Sequence, residues 1–169
     1  MSPRRTIISF LIAQQRFNYR TAGIIFRDGH VLACREDNDP YLLLPGGRVE
    51  LGERSDIALE REIEEELGHP ASVGELAFSA ENFFERDGVS FHELARYYRV
   101  ELDPAFPFRP DGAVALQRED EGHLLSFIWL RTTPEALAAA NLLPLWLRVH
   151  LPAAPGPPQH LIVDDRHHG

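Results

Sequence analysis

The sequence predicts one mixed α/β domain, and three observations carry that expectation. A chain of 169 residues is long enough to bury a sizeable apolar core without disulfides or a structural metal. Its 44% apolar and 25% charged residues are ordinary globular usage, which excludes wholesale disorder, collagen-like repeats and coiled coil. Along the chain, β-prone runs alternate with segments of helical period, the order expected of a mixed α/β architecture.

At the start, the basic pair Arg4-Arg5 followed by apolar residues 7–13 has the outline of a signal peptide. The run is short, is broken by Ser9, and leads into Gln14-Gln15-Arg16 instead of a small-residue cleavage site. Residues 1–17 are therefore expected to form an N-terminal strand or packed extension. Residues 19–26 and 30–34 are apolar and β-prone around Arg27-Asp28-Gly29, a hairpin signal. After a loop over 36–40 and a short apolar run over 41–44, Pro45-Gly46-Gly47 is expected to turn sharply.

Residues 55–67 predict a helix: Ser55 stands where a cap belongs, Leu59, Ile63 and Leu67 recur every four residues, and Gly68-His69-Pro70 supplies a stop. Residues 73–85 and 90–102 predict two aromatic-rich strands about Arg86-Asp87-Gly88, followed by a proline-containing loop over 103–112. A buried strand is expected over 124–130, then an Ala-rich helix over 135–142 opened by Thr133-Pro134, then a further helix from Pro144 to Leu151. The main domain is thus expected over 18–151, with a proline-rich tail over 152–169 whose residues 159–165 could add an edge strand.

The net charge of −9 disfavours wrapping a nucleic acid polymer, so phosphates could be handled only if positive charge is supplied in some other way. No run approaches the roughly 20 apolar residues of a membrane helix. The one cysteine, Cys34, cannot form an internal disulfide and reads as a packed thiol, which points to a cytoplasmic protein. His92, His123 and His150 lack metal-site spacing and are assigned no ligand role, and His167-His168 are expected to be disordered.

On the expected helix, Glu62, Glu65 and Glu66 fall within about 100° of one another, beside the apolar stripe of Leu59, Ile63 and Leu67. Charge runs of this kind are usually solvated faces. Here, however, like charges three and four residues apart repel and call for cations. The whole pattern is also specific: Gly47, five residues, Glu53, seven residues, Arg61-Glu62-Ile63, one residue, Glu65-Glu66, one residue, Gly68.

This pattern resembles the Nudix box, with a chance of arising at random on the order of one in ten million. Leu44-Pro45-Gly46-Gly47 matches the family's usual lead-in, whereas His69 stands where the family normally has an aliphatic residue. The resemblance implies a Nudix-like α/β/α sandwich with a mixed β-sheet. It also implies a pyrophosphohydrolase that cleaves the diphosphate of a nucleotide or nucleotide-sugar by water attack on phosphorus. Clustered carboxylates select hard cations, Mg²⁺ or Mn²⁺, which bridge phosphate oxygens and lower the pKa of a bound water.

Carried over residue by residue, the resemblance makes Glu62, Glu65 and Glu66 the expected metal ligands, with Gly46 lending a backbone carbonyl. Glu62 and Glu66 are also the catalytic candidates, as groups that orient the water. Glu53 and Arg61 look structural, and Glu60 and Glu64 lie off the stripe towards solvent. Some family members place a general base in a loop outside the box, and Glu119-Asp120-Glu121 offers one, with a solvated acidic turn the equal alternative. Arg35 and Phe83 are the candidate substrate-binding residues, since one of Phe83 and Phe84 has to face the cleft. The expected partner is a small nucleotide or nucleotide-sugar, not a membrane or a nucleic acid polymer, and a homodimer is one assembly the resemblance allows. The competing class is a non-catalytic Nudix-fold nucleotide sensor or scaffold, which would be expected to have lost the box carboxylates present here.

Overall fold

Two β-sheets form the middle of the molecule, and helices cover them on both sides. The computed structural model describes residues 5–154 and 156–166, so His167-His168 lie outside the described residues. The larger sheet contains β1 (Ser9–Ile12), β2 (Gln15–Ile24), β5 (Gly46–Arg48), β6 (Ala71–Arg86), β7 (Val89–Leu102) and β10 (Gln159–Asp164). Its order is β1-β2-β7-β6-β10, with β5 also on β2. It is a mixed sheet, because β2 runs parallel to β7 and β10 parallel to β6 while the remaining pairs are antiparallel. The smaller, antiparallel sheet has the order β3-β4-β9-β8, built from β3 (Phe26–Arg27), β4 (His30–Glu36), β8 (Val114–Asp120) and β9 (His123–Arg131).

Both Asp-Gly signals make turns: Asp28-Gly29 and Asp87-Gly88 have positive φ, a conformation these residues tolerate. The first hairpin is smaller than the sequence suggests, with only Phe26 and Arg27 pairing Val31 and His30. The rest of the long apolar run is β2, which belongs to the other sheet. Pro45-Gly46-Gly47 is not a sharp turn; Gly46–Arg48 runs extended and antiparallel to β2, Gly46 opposite Ala22. A Cβ on Gly46 would stand 2.1 Å from the Thr21 carbonyl oxygen, so the glycine serves close backbone approach.

Helix α1 (Ser55–Leu67) has the expected limits, and its Leu59, Ile63 and Leu67 are fully buried against Leu32, Phe127 and Trp129. Burial of each contributes roughly 1.5–3 kcal/mol. Its C-terminus is closed by Gly68 at φ 67, whose N–H donates to the Glu64 carbonyl. Ser55 is not the cap. Arg54 holds the N-cap position without a side-chain hydrogen bond, and the Ser55 hydroxyl pairs instead with the Tyr98 hydroxyl at 2.7 Å.

A second core on the opposite side joins Ala22, Ile24, Phe78 and Tyr97 to the short helices α2 (Pro134–Ala139) and α3 (Leu147–His150). Thr133 caps α2, its hydroxyl accepting from the Ala136 amide at 3.2 Å. The last helix is shorter than expected, because α3 gives way to a 3₁₀ turn at Leu151–Ala153 inside the proline-rich stretch. Strand β10 is at the edge of the larger sheet, as its position in the tail suggested. The assembly is an α/β/α sandwich, and no helix among the described residues is long and apolar enough to cross a membrane.

Candidate functional site

The α1 carboxylates converge where the helix passes β5. Glu62 is buried, 6% exposed, and its carboxylate lies so close to Gly47 that a Cβ there would come within 2.7 Å of three of its atoms. Any side chain at position 47 would displace it. Burial raises the Glu62 pKa despite a 2.8 Å hydrogen bond from Arg61. Arg61 is itself fixed by a two-pronged bond to Glu53, at 2.8 and 3.0 Å, which holds the Glu53 carboxyl below its usual value.

Glu66 stands on the same face. Burial first, then the neighbouring Glu62 charge, push its pKa up to about 8, against an opposing hydrogen bond from the Gly46 backbone and the nearby Arg20. Glu65 is more exposed and meets Arg5 at 2.6 Å and Arg61 at 3.6 Å. Of the acidic triplet, Glu119 and Asp120 end strand β8 and only Glu121 lies in the turn, so the segment is less of a loop than expected. Asp120 is close enough to Glu66 to raise its pKa, and Glu121 reaches Arg5 at 3.6 Å.

Across β2 from this cluster opens a cavity of about 380 Å³, whose charged lining is Arg20, Arg48, Arg86, Glu85, Glu93 and Asp165, with Tyr41, Phe84, Asn82 and Tyr97 among the rest. The position of its walls follows from strand alternation, since Asn18, Arg20 and Ala22 of β2 point into it while Thr21 faces α1. Among the described residues, Arg16, Arg20, Arg48 and Arg86 form no ion pair with a carboxylate. Arg20 donates to the Leu44 carbonyl, Arg86 to the Tyr41 hydroxyl and Arg16 to Ser9. The Arg48 guanidinium is held below the ordinary arginine value by partial loss of water and by Arg16 and Arg20 beside it. Asn82 is fixed by accepting from the Trp146 indole at 2.9 Å, which leaves its amide group facing Glu93. The wall therefore carries three arginines and the three carboxylates Glu85, Glu93 and Asp165, and with no ion pair among them the arginines keep donors free for an anionic ligand.

Of the sequence-derived candidates, the metal set assembles and the substrate-binding pair does not. Glu62, Glu65, Glu66 and Gly46 come together at the carboxylate cluster. Arg35, half-buried on β4, does not line the cavity, and its Nε has no hydrogen-bond partner. Phe83 faces away from the cavity, stacked on His92 at 4.4 Å, and its neighbour Phe84 is the one on the wall. The arginines Arg20, Arg48 and Arg86 went unnoticed in the sequence because they come from three strands with no local pattern. His123, given no ligand role, joins exposed Glu36 and Asp37, their ligand atoms within 4.8 Å of one another. Asp37 accepts from His123 at 2.8 Å and raises its pKa.

The model of the NUDIX domain matches residues 18–145 of this chain. No curated protein sequence matches it significantly. Among solved structures, the ORF135 protein of E. coli is 25% identical, with a TM-score of 0.52 over 85% of this chain and 94% of that one. A NUDIX hydrolase from Nitrosomonas europaea is 15% identical, with a TM-score of 0.58 over 87% of this chain and 78% of that one. A MutT protein from Bacillus halodurans is 17% identical, with a TM-score of 0.55 over 81% and 83% respectively. At 15% and 17% identity, the last two show a shared fold.

Proposed function

The chain belongs to the Nudix family and is a Nudix hydrolase, and from that premise we propose that it is a Mg²⁺- or Mn²⁺-dependent cytoplasmic pyrophosphohydrolase acting on a small nucleotide or nucleotide-sugar. The observation that carries the reading is the adjacency of an all-oxygen carboxylate cluster and a cavity whose three arginines form no ion pair among the described residues. Either half alone is ambiguous. Together they offer a seat for hard cations beside a seat for phosphates.

The residues fit a divalent ion. Glu62, Glu65 and Glu66 supply oxygen donors only, and burial first, then the Glu62 charge, raise the pKa of Glu66, both of which a bound cation would offset. Bound there, with Gly46 as a further candidate ligand, the ion would polarise the diphosphate and acidify a water. The protein's own part is positional. Arg61, pinned by Glu53, aims Glu62 at the site, and Gly47 leaves the space that Glu62 fills. Arg20 and Arg48 meet the phosphates, Tyr41 and Phe84 offer aromatic faces to a base, and Glu93 accepts from a donor on the base or sugar. Asp120 or Glu121 is the candidate for receiving the proton from the attacking water.

The test is a panel of nucleoside triphosphates, nucleoside diphosphates and nucleotide-sugars incubated with Mg²⁺ or Mn²⁺ in ¹⁸O-water, with products read by mass. The expected result is cleavage between two phosphorus atoms with one ¹⁸O in one product. Cleavage only at a phosphate ester, or none in the presence of either metal, contradicts the reading.

A further inference from the structure

Arg5 lies outside the matched NUDIX domain, on the arm that precedes β1, yet its guanidinium enters the carboxylate cluster. Its Nη2 is 2.6 Å from Glu65 Oε2, its Nη1 3.8 Å from Glu62 Oε1, and its Nε 3.6 Å from Glu121 Oε1. The backbone fixes this placement. The Ile8 amide donates to the Val49 carbonyl and the Leu51 amide to the Thr6 carbonyl, both at 2.8 Å, and Ile7 bridges Glu50. The arm is therefore held antiparallel to residues 49–51, which lead into α1, by these bonds and a single bridge. Arg61 also touches Glu62 and Glu65, but it is anchored on Glu53. Among the described residues, the ion-pair partners of Arg5 are Glu62 and Glu65 of the cluster and Glu121 on the adjoining β8–β9 turn.

We propose that Arg5 is a built-in cation that competes with the divalent ion for Glu65 and Glu62, so that the N-terminal arm sets the metal affinity of the site. The inference rests on reading Glu62, Glu65 and Glu66 as metal ligands. A guanidinium on these oxygens already neutralises part of the charge that would draw a metal in. A divalent ion taking the same oxygens meets like-charge repulsion from Arg5, so binding and the Arg5 contacts oppose each other. The arm tightens the cluster when metal is scarce and yields when it is plentiful. The contact to Glu121 carries the same competition to the β8–β9 turn.

The experiment measures Mn²⁺ binding to the metal-free, full-length protein without substrate, by electron paramagnetic resonance of unbound Mn²⁺. It compares wild type, Arg5→Gln, Arg5→Lys and Arg54→Gln. The last removes the same charge from a surface pair with Asp56, outside the cluster. Melting curves establish that each variant is folded. Arg5→Gln is expected to bind Mn²⁺ about two- to fivefold tighter than wild type, the range of an exposed ion pair. Arg5→Lys should stay within about 1.5-fold of wild type, and Arg54→Gln likewise. If Arg5→Gln and Arg54→Gln match, or if Arg5→Gln binds more weakly than wild type, the competition is overturned while the metal site stands. If no form binds Mn²⁺, the metal reading itself falls and the competition with it.

Discussion

The carboxylate face of α1 and the arginine cavity lie on either side of β2, and they are built in opposite ways. The carboxylates come from one helix at spacings of three and four, so local periodicity alone brings them together. The arginines come from β2, β5 and β6, and only the pairing of Arg20 with Arg48 across β2 and β5, together with the β2–β7–β6 order, makes them neighbours. The charged groups are handled differently too. Acidic residues at α1 are answered by Arg5 and Arg61, whereas the cavity arginines form no ion pair with carboxylates of the described residues. The first region already holds two guanidinium groups, whereas in the second Arg20, Arg48 and Arg86 stay out of ion pairs with described residues although Glu85, Glu93 and Asp165 share the cavity wall.

Substitutions that separate the two regions sharpen this contrast. The largest effect is expected for Glu66→Gln: on the proposed role of Glu66 as a charged metal ligand, its loss should lower kcat on the best substrate by about a hundredfold or more. The exposed Glu64→Gln, one turn face away, should change kcat by less than about twofold. A comparable loss at both would mean that helix orientation is not what selects the ligands. Next comes Arg48→Ala, which removes a charged hydrogen-bond donor from the cavity. It should raise KM by about tenfold or more with Mn²⁺ affinity unchanged.

Glu53→Gln probes what holds the first region in shape. It breaks the two-pronged bond to Arg61 and should cost about 1–2 kcal/mol, a melting temperature lower by a few degrees. The sign of the pH dependence follows from the depressed Glu53 pKa: its contribution is present above the ordinary carboxyl value of 4.5 and fades as pH falls through the lower folded value. Melting curves of wild type and Glu53→Gln should therefore approach each other in acid, and a gap that widens there would reverse the assignment. The smallest effect is expected in the aromatic pair. Phe84→Ala should shift the ranking of nucleotides in the panel by a fewfold, and Phe83→Ala should leave it alone.

The same local-versus-assembled distinction explains what the sequence made legible. The limits of helix α1 are legible because its apolar stripe and its carboxylates repeat within 13 residues and the αL glycine Gly68 follows directly. The Asp-Gly turns were readable for the same reason. Strand β8 was missed because Val114–Asp120 ends in Gln117-Arg118-Glu119-Asp120, half of it solvent-facing at a sheet edge, where apolar patterning fades. Strand β5 was missed because Gly46-Gly47 reads as a turn unless one knows that Thr21 presses on Gly46 and Glu62 on Gly47. Phe83 and Phe84 illustrate the limit most simply. Alternation guarantees that one faces the cavity, but which one is decided by register with β7, where Phe83 sits opposite His92 and Phe84 opposite Phe91. Ser55 was the natural cap by type, but its hydroxyl is taken by Tyr98 from a strand 43 residues away.

The central claim, that one helix face holds the metal and the strand cavity holds the nucleotide, is tested most directly by binding in two separate titrations. Wild type, Glu66→Gln and Arg48→Ala are each titrated with Mn²⁺ alone and, in EDTA, with an uncleavable methylene-diphosphonate analogue of the best substrate. Glu66→Gln should lose Mn²⁺ affinity by about tenfold or more and keep the analogue within about twofold, and Arg48→Ala should do the reverse. If Arg48→Ala loses Mn²⁺ as Glu66→Gln does, or Glu66→Gln loses the analogue in EDTA, the two regions do not divide the work and the account is wrong.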